Sequence, residues 1–140
     1  IETHNDYFLN LINKGVTQQQ NEQAIKLAKQ VGMKVKGFFI LGLPNQTYKD
    51  CADTIKYVVS LNLDYVDFYP LSVYPNTELW DTPEKFNLSY KLPNGNWSEY
   101  YQVGKENHEW KVNHPNITSQ QMNDLLSIAK KATKKGITYE

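Results

Sequence analysis

GFFILGLPNQT, residues 37–47, holds an apolar run that stops at Gly42 and Pro44 and passes into polar residues suited to a helix start. A strand is indicated over 34–41, KVKGFFIL, and its end is apolar at every position. The period-2 alternation of a half-buried strand is therefore lost. Burial on both faces gives that pattern, and a parallel strand lying beneath helices is its usual source. Thr47 with Asp50 three residues later opens a helix, whose apolar stripe is Tyr48, Cys51, Ala52, Ile55, Val58 and Val59. A second strand, YVDFYPLSV, follows over 65–73. Strand, tight turn, helix and strand in this order make a βαβ unit, with a parallel pair and a right-handed crossover.

Upstream, Tyr7, Phe8, Leu11 and Ile12 recur at helical spacing before a stop at Gly15. Thr17 to Gln20 is a capping box. It opens a second helix with the inner face Ala24, Ile25, Leu27, Ala28 and Val31, ended by Gly32. Downstream, helical periodicity fades over 76–117 while Trp80, Phe86, Tyr90, Trp97, Tyr100, Tyr101 and Trp110 crowd in. LSYKL and NWSEYYQV flank Pro93-Asn94-Gly95, which predicts a β-hairpin. A last capping box at Thr118–Gln121 begins a helix that turns Met122, Leu125, Leu126, Ala129 and Ala132 inward and stops at Gly136.

The 140 residues suit one modest domain or a piece of a larger one, and 40% hydrophobic with 13% aromatic content supports a core. Net charge is zero, so no basic footprint for nucleic acid or an anionic membrane is present. Every basic residue is lysine. A bound anion must then be held by ammonium groups, backbone N–H or hydroxyls, without a guanidinium fork. The single cysteine, Cys51, excludes an internal disulfide and a self-contained cysteine metal site. It sits on an apolar stripe and reads as a small core residue. His4, His108 and His114 lack metal-ligand spacing and read as surface histidines, so no metal site is expected. With no long apolar span and no signal-peptide pattern, a soluble cytoplasmic protein is expected.

Gly42, at the carboxyl end of the first strand, lets another backbone or a ligand come close. In α/β architectures ligands bind at that edge. On geometry alone Gly-Leu-Pro reads more readily as a plain tight βα turn.

INKGVT at 12–17, GFFILGLPNQT at 37–47 and YPLSVYPNTELW at 69–80 come in an order and spacing that resemble the second half of a radical S-adenosylmethionine (radical SAM) barrel. The family pattern is a Glu-Ser pair, Lys-Gly-Thr, Phe-x-x-Gly-x-Pro-Gly-Glu-Thr and Pro-Tyr-Pro-Gly-Thr, with Glu2-Thr3 standing for the first pair. The likeness covers roughly residues 1–80. Asn45 and Asn76 stand where the pattern commonly has Gly, which leaves the turn at Asn45 open. The tail, with Trp110 and ITSQQMNDLLSIAKKA, is similar to the cobalamin-associated subgroup that includes anaerobic magnesium-protoporphyrin cyclases and various methyltransferases.

The resemblance implies an α/β fold: a partial, half TIM-type (β/α) barrel with parallel strands over 1–80. An aromatic-rich extension over 81–140, with hairpin and final helix, would close one side or shape a substrate pocket. It implies that Glu2, with Thr3 beside it, lies near the ribose of S-adenosylmethionine and that Lys14 pairs with the methionyl carboxylate. Ile40, Leu41 and Gly42 would lie against adenine, with Gly42 leaving the ring its slot. Gln46 would bond across the turn or serve as a helix-start residue, and Leu71 and Ser72 would offer backbone near the adenine. The parent enzyme would use S-adenosylmethionine and a 4Fe-4S cluster, with cobalamin left open. It would reductively cleave S-adenosylmethionine to a 5′-deoxyadenosyl radical that takes hydrogen from a small-molecule substrate. Such clusters need three cysteine thiolates, and this chain has one. It is therefore expected to be an inactive fragment that self-associates through an exposed strand edge. Two other readings stay open: a non-catalytic α/β interaction module, and a piece of another (β/α)-barrel enzyme such as a lyase or aldolase, with Glu2 and Asp67 as its acid–base candidates.

Overall fold

The computed structural model describes residues 1–91 and 109–133. Their order is α1 (Asp6–Leu11), α2 (Gln18–Gln30), β1 (Lys36–Leu41), α3 (Tyr48–Ser60), β2 (Tyr65–Pro70) and a short α4 (Glu78–Asp81). A 3-10 turn (Pro83–Phe86), β3 (Ser89–Tyr90), β4 (Val112–Asn113) and α5 (Ser119–Ala132) complete it. β1 and β2 pair in parallel from Lys36↔Tyr65 to Leu41↔Pro70, which is the expected βαβ unit. Thr17, Thr47 and Thr118 each close a full capping box, with Gln20, Asp50 and Gln121 at the third helical position. Their side chains satisfy backbone donors that the first turn leaves unpaired.

The burial of β1 corrects the two-faced expectation. Gly37, Phe39 and Leu41 are buried, while Lys36 and Phe38 are exposed and Ile40 is half-buried. Among the described residues helices cover one face: Phe39 shares a cluster with Ile25 of α2 and Val58 of α3, and Leu41 with Cys51 and Ile55 of α3. The inner face expected of α2 is corrected likewise. Ile25 is its buried residue, whereas Ala24, Leu27 and Val31 are exposed. Two strands about 4.8 Å apart form a layer narrower than two helices of about 10 Å each. α3 and α5 both pack on it, α5 against β2, and of the α2 stripe Ile25 is buried.

The parallel sheet among the described residues has two strands. Residue 2 adds one further tie, since Ile40 N–H donates to the Glu2 carbonyl at 2.9 Å on the far side of β1. The predicted hairpin about Pro93-Asn94-Gly95 and the helix stop at Gly136 lie outside the described residues. Ser89–Tyr90, from the LSYKL stretch, runs antiparallel to Val112–Asn113, a partner beyond the NWSEYYQV expected for it. Residues on both sides of position 80 share one core, in which Leu41, Leu71, Leu88, Trp110, Met122 and Leu125 are buried together. Among the described residues no helix is long and apolar enough to cross a membrane.

Candidate functional site

The tip of β1 is built by its glycine and a glutamine. Gly42 takes φ +82°, a conformation that side chains disfavour, and a Cβ there would lie 2.7 Å from the Trp110 ring and 2.9 Å from the Met122 methyl. The space expected as an adenine slot on that side is thus filled by Trp110 and Met122. Asn45 and Asn76, which replace glycines of the pattern, take φ 66° and 64°. Asparagine tolerates the left-handed region better than other side-chain-bearing residues do, so both positions keep a glycine-like backbone.

Gln46 is fully buried. Its Oε1 accepts from the Gly42 and Leu43 N–H groups, each at 2.9 Å, and from the Cys51 thiol at 3.4 Å. Its Nε2 donates to Thr3 Oγ1 at 3.4 Å. Thr3 Oγ1 lies 3.4 Å from Thr54 Oγ1, whose proton goes to the Asp50 carbonyl at 3.0 Å. His4 Nδ1 therefore acts as donor in its 2.8 Å bond to Thr54 Oγ1. This network ties residue 3, the turn after β1 and the first turns of α3 into one unit. Of the two roles expected for Gln46, the bond across the turn is found. Burial pushes the Cys51 thiol up to about 12, as befits an inert core residue.

The remaining expected contacts divide. Leu41 and Thr3 are fully buried with Gln46, so their side chains face the protein interior. The Leu71 N–H donates to the Leu41 carbonyl at 2.8 Å, and its own carbonyl accepts from Trp110 Nε1 at 2.8 Å. Ser72 Oγ donates to the Pro70 carbonyl at 3.4 Å. Glu2 and Lys14 come together: Lys14 Nζ donates to Glu2 Oε1 at 2.7 Å, with both side chains partly exposed. Ile1 packs against the Phe39 cluster and Thr3 is buried, so the Glu2 carboxylate projects between two inward neighbours beside Ile40.

Sequence reasoning passed over the helix-free face of the sheet. Lys36 Nζ and Tyr69 Oη both reach Asp67 Oδ2, at 2.8 and 3.2 Å. Phe38 stacks on Tyr69 with centroids 6.2 Å apart, and the Lys36 ammonium lies 5.0 Å from the centroid of Phe38. The signal was present in YVDFYP, where Tyr65, Asp67 and Tyr69 alternate with Val66, Phe68 and Pro70. Only Asp67 had been singled out, as an acid–base candidate.

His4 and His114 are half-buried and not surface residues, which corrects that expectation; His108 lies outside the described residues. His114 Nε2 donates to the Leu43 carbonyl at 3.2 Å while Nδ1 accepts from Asn116 N–H at 3.1 Å, so the ring is neutral. Burial lowers both imidazoles from 6.5. The unfolded chain therefore takes up protons first as pH falls. The contribution to stability is complete above pH 6.5 and is lost as pH drops through the depressed folded values. Melting at pH 5 should occur below melting at pH 7.5, and His114→Gln should narrow that gap; an unchanged gap in this variant and in His4→Gln would refute the assignment. Among the described residues no group of three His, Cys, Asp or Glu side chains could hold a metal.

Comparison with known proteins gives this arrangement its class. Residues 1–58 match the family model described as the Radical SAM superfamily. A protein named as an uncharacterized methyltransferase from Pyrococcus horikoshii is 35% identical over 129 residues, covering 92% of this chain and 26% of the relative. A putative methylthiotransferase from Methanocaldococcus jannaschii is 38% identical over 108 residues, 74% of this chain and 23% of the relative. The anaerobic magnesium-protoporphyrin IX monomethyl ester cyclase of Rubrivivax gelatinosus is 32% identical over 72 residues, 51% of this chain and 13% of the relative. The chain thus spans about a quarter of the length of the first two relatives.

Proposed function

We propose that this chain is the part of a radical SAM enzyme that holds the ribose and methionyl end of S-adenosylmethionine. The observation that carries the reading is the Glu2–Lys14 pair, 2.7 Å apart, held beside the end of β1 by the bond from Ile40 N–H to the Glu2 carbonyl. A carboxylate accepts ribose hydroxyls and an ammonium accommodates the methionyl carboxylate, both through charge-assisted hydrogen bonds. Ile40, half-buried beside them, offers apolar surface to the nucleoside. Thr3, Leu41 and Gln46 act behind this edge, fixing the backbone that carries it.

The residues here do not fit a 4Fe-4S cluster. Three thiolates are required, and Cys51 is the single cysteine, buried and bonded to Gln46. Cluster ligation therefore belongs to another part of the full protein. The chemistry supplied by a bound cluster with S-adenosylmethionine is reductive cleavage to a 5′-deoxyadenosyl radical. The methyltransferase, methylthiotransferase and cyclase relatives point to no single substrate.

The test uses the full-length protein, reconstituted anaerobically with iron and sulfide and reduced with dithionite. 5′-Deoxyadenosine should accumulate from S-adenosylmethionine. Glu2→Gln should weaken S-adenosylmethionine binding roughly tenfold or more, since a hydrogen bond to a charged group contributes about 1.5–3 kcal/mol. Lys14→Met should weaken it less, because the ammonium is more exposed. Absence of 5′-deoxyadenosine from a protein with a full cluster would end the reading. Unchanged binding in Glu2→Gln would remove this edge from it.

A further inference from the structure

We infer that Trp110, His114 and Asn116 are positioning residues, a clasp that holds the turn after β1 and the end of β2 where the ligand edge needs them; this rests on the cofactor reading above. All three lie beyond the 58 residues of the family match. Each side chain donates to a main-chain carbonyl at the carboxyl ends of the two strands. Trp110 Nε1 reaches Leu71 O at 2.8 Å, His114 Nε2 reaches Leu43 O at 3.2 Å, and Asn116 Nδ2 reaches Gln46 O at 3.3 Å. The Trp110 and His114 rings stack with centroids 5.7 Å apart, and the indole fills the space left open by Gly42.

Beyond the Gln46 bonds, apolar packing would not fix the turn against sliding, because it is non-directional. Three directional bonds, to the carbonyls of Leu43, Gln46 and Leu71, fix where that backbone runs, and with it Ile40 and the tie to Glu2. The three bonds of the clasp involve neither Glu2 nor Lys14.

The test measures amide hydrogen exchange and S-adenosylmethionine affinity in the full-length protein carrying Trp110→Phe, His114→Leu or His114→Gln. Trp110→Phe and His114→Leu should each speed exchange at the Gly42 and Leu43 amides, and weaken S-adenosylmethionine binding, by about tenfold. Exchange in α2 should not change. His114→Gln, which retains an N–H donor for the Leu43 carbonyl, should restore most of both. Unchanged exchange at Gly42 and Leu43 overturns the clasp, as does faster exchange with wild-type affinity. Wild-type protein that binds no S-adenosylmethionine overturns the cofactor reading instead, and the turn-holding role is then decided by exchange alone.

Discussion

Gly42→Ala is expected to destabilise the fold by roughly 2–5 kcal/mol, the sum of a left-handed backbone strain and an overpacked core. The two contributions are separable because the chain holds a matched control. Gly15 has φ +68° with nothing within 4 Å of a Cβ, whereas Gly42 has φ +82° with the Trp110 ring at 2.7 Å. Gly15→Ala therefore suffers the backbone cost alone, about 1–2 kcal/mol. The excess at position 42 comes from the indole, which is itself clamped by its bond to Leu71 and its stack on His114. In a double-mutant cycle with Trp110→Ala, most of that excess should vanish and the Gly42→Ala cost should fall toward the Gly15 value, the remainder being set by the Met122 methyl at 2.9 Å. Denaturant melts of the four proteins of the cycle and of Gly15→Ala measure it. Equal costs at Gly15 and Gly42 on the wild-type background would show that the glycine answers to backbone conformation and not to Trp110.

The contrast between those glycines marks how far sequence reading reached. A positive φ at a helix stop is local: Gly32, at φ 79°, follows the C-cap of α2 as expected, whereas α1 stops before Gly15, with Asn13 at φ 52° as the left-handed residue after its C-cap Ile12. The capping boxes were legible for the same reason, since a Thr and a partner three residues on settle the matter between themselves. Trp110 lies 39 residues from the carbonyl it bonds, and no pattern in the strand discloses which side chain will close its tip. Solid hydrophobicity in GFFIL suggested cover on both faces. Hydrophobicity records the cover a strand has in its complete protein, and the described residues supply helices to one face. The candidate site was legible in its parts but not in its pairing. Glu2 and Lys14 emerged as separate contacts from a resemblance, and the fold joins them across 12 residues.

Gln46 shows the same limit and carries the second large effect. Gln46→Leu is expected to cost about 3–5 kcal/mol, because two buried main-chain donors, at Gly42 and Leu43, lose their acceptor together. Each unsatisfied buried group costs about 1–3 kcal/mol, and leucine, similar in size but apolar, opens no compensating route for water. The Cys51 thiol and Thr3 hydroxyl lose partners as well. Gln46→Glu separates loss of the acceptor from loss of the amide. Its carboxylate can still accept from both N–H groups, which favours the charged form, and the Thr3 hydroxyl can rotate to donate toward it. At neutral pH Gln46→Glu should therefore recover at least half of what Gln46→Leu loses. Its stability should fall as pH drops through the carboxyl's folded pKa, where protonation leaves fewer lone pairs facing the turn. Chemical denaturation at pH 7.5 and at pH values below the ordinary carboxyl value of about 4.3 reads both effects. Gln46→Leu within 1 kcal/mol of wild type, or no difference between the Leu and Glu variants, would mean that the turn after β1 is held by the clasp from outside and not by the glutamine within.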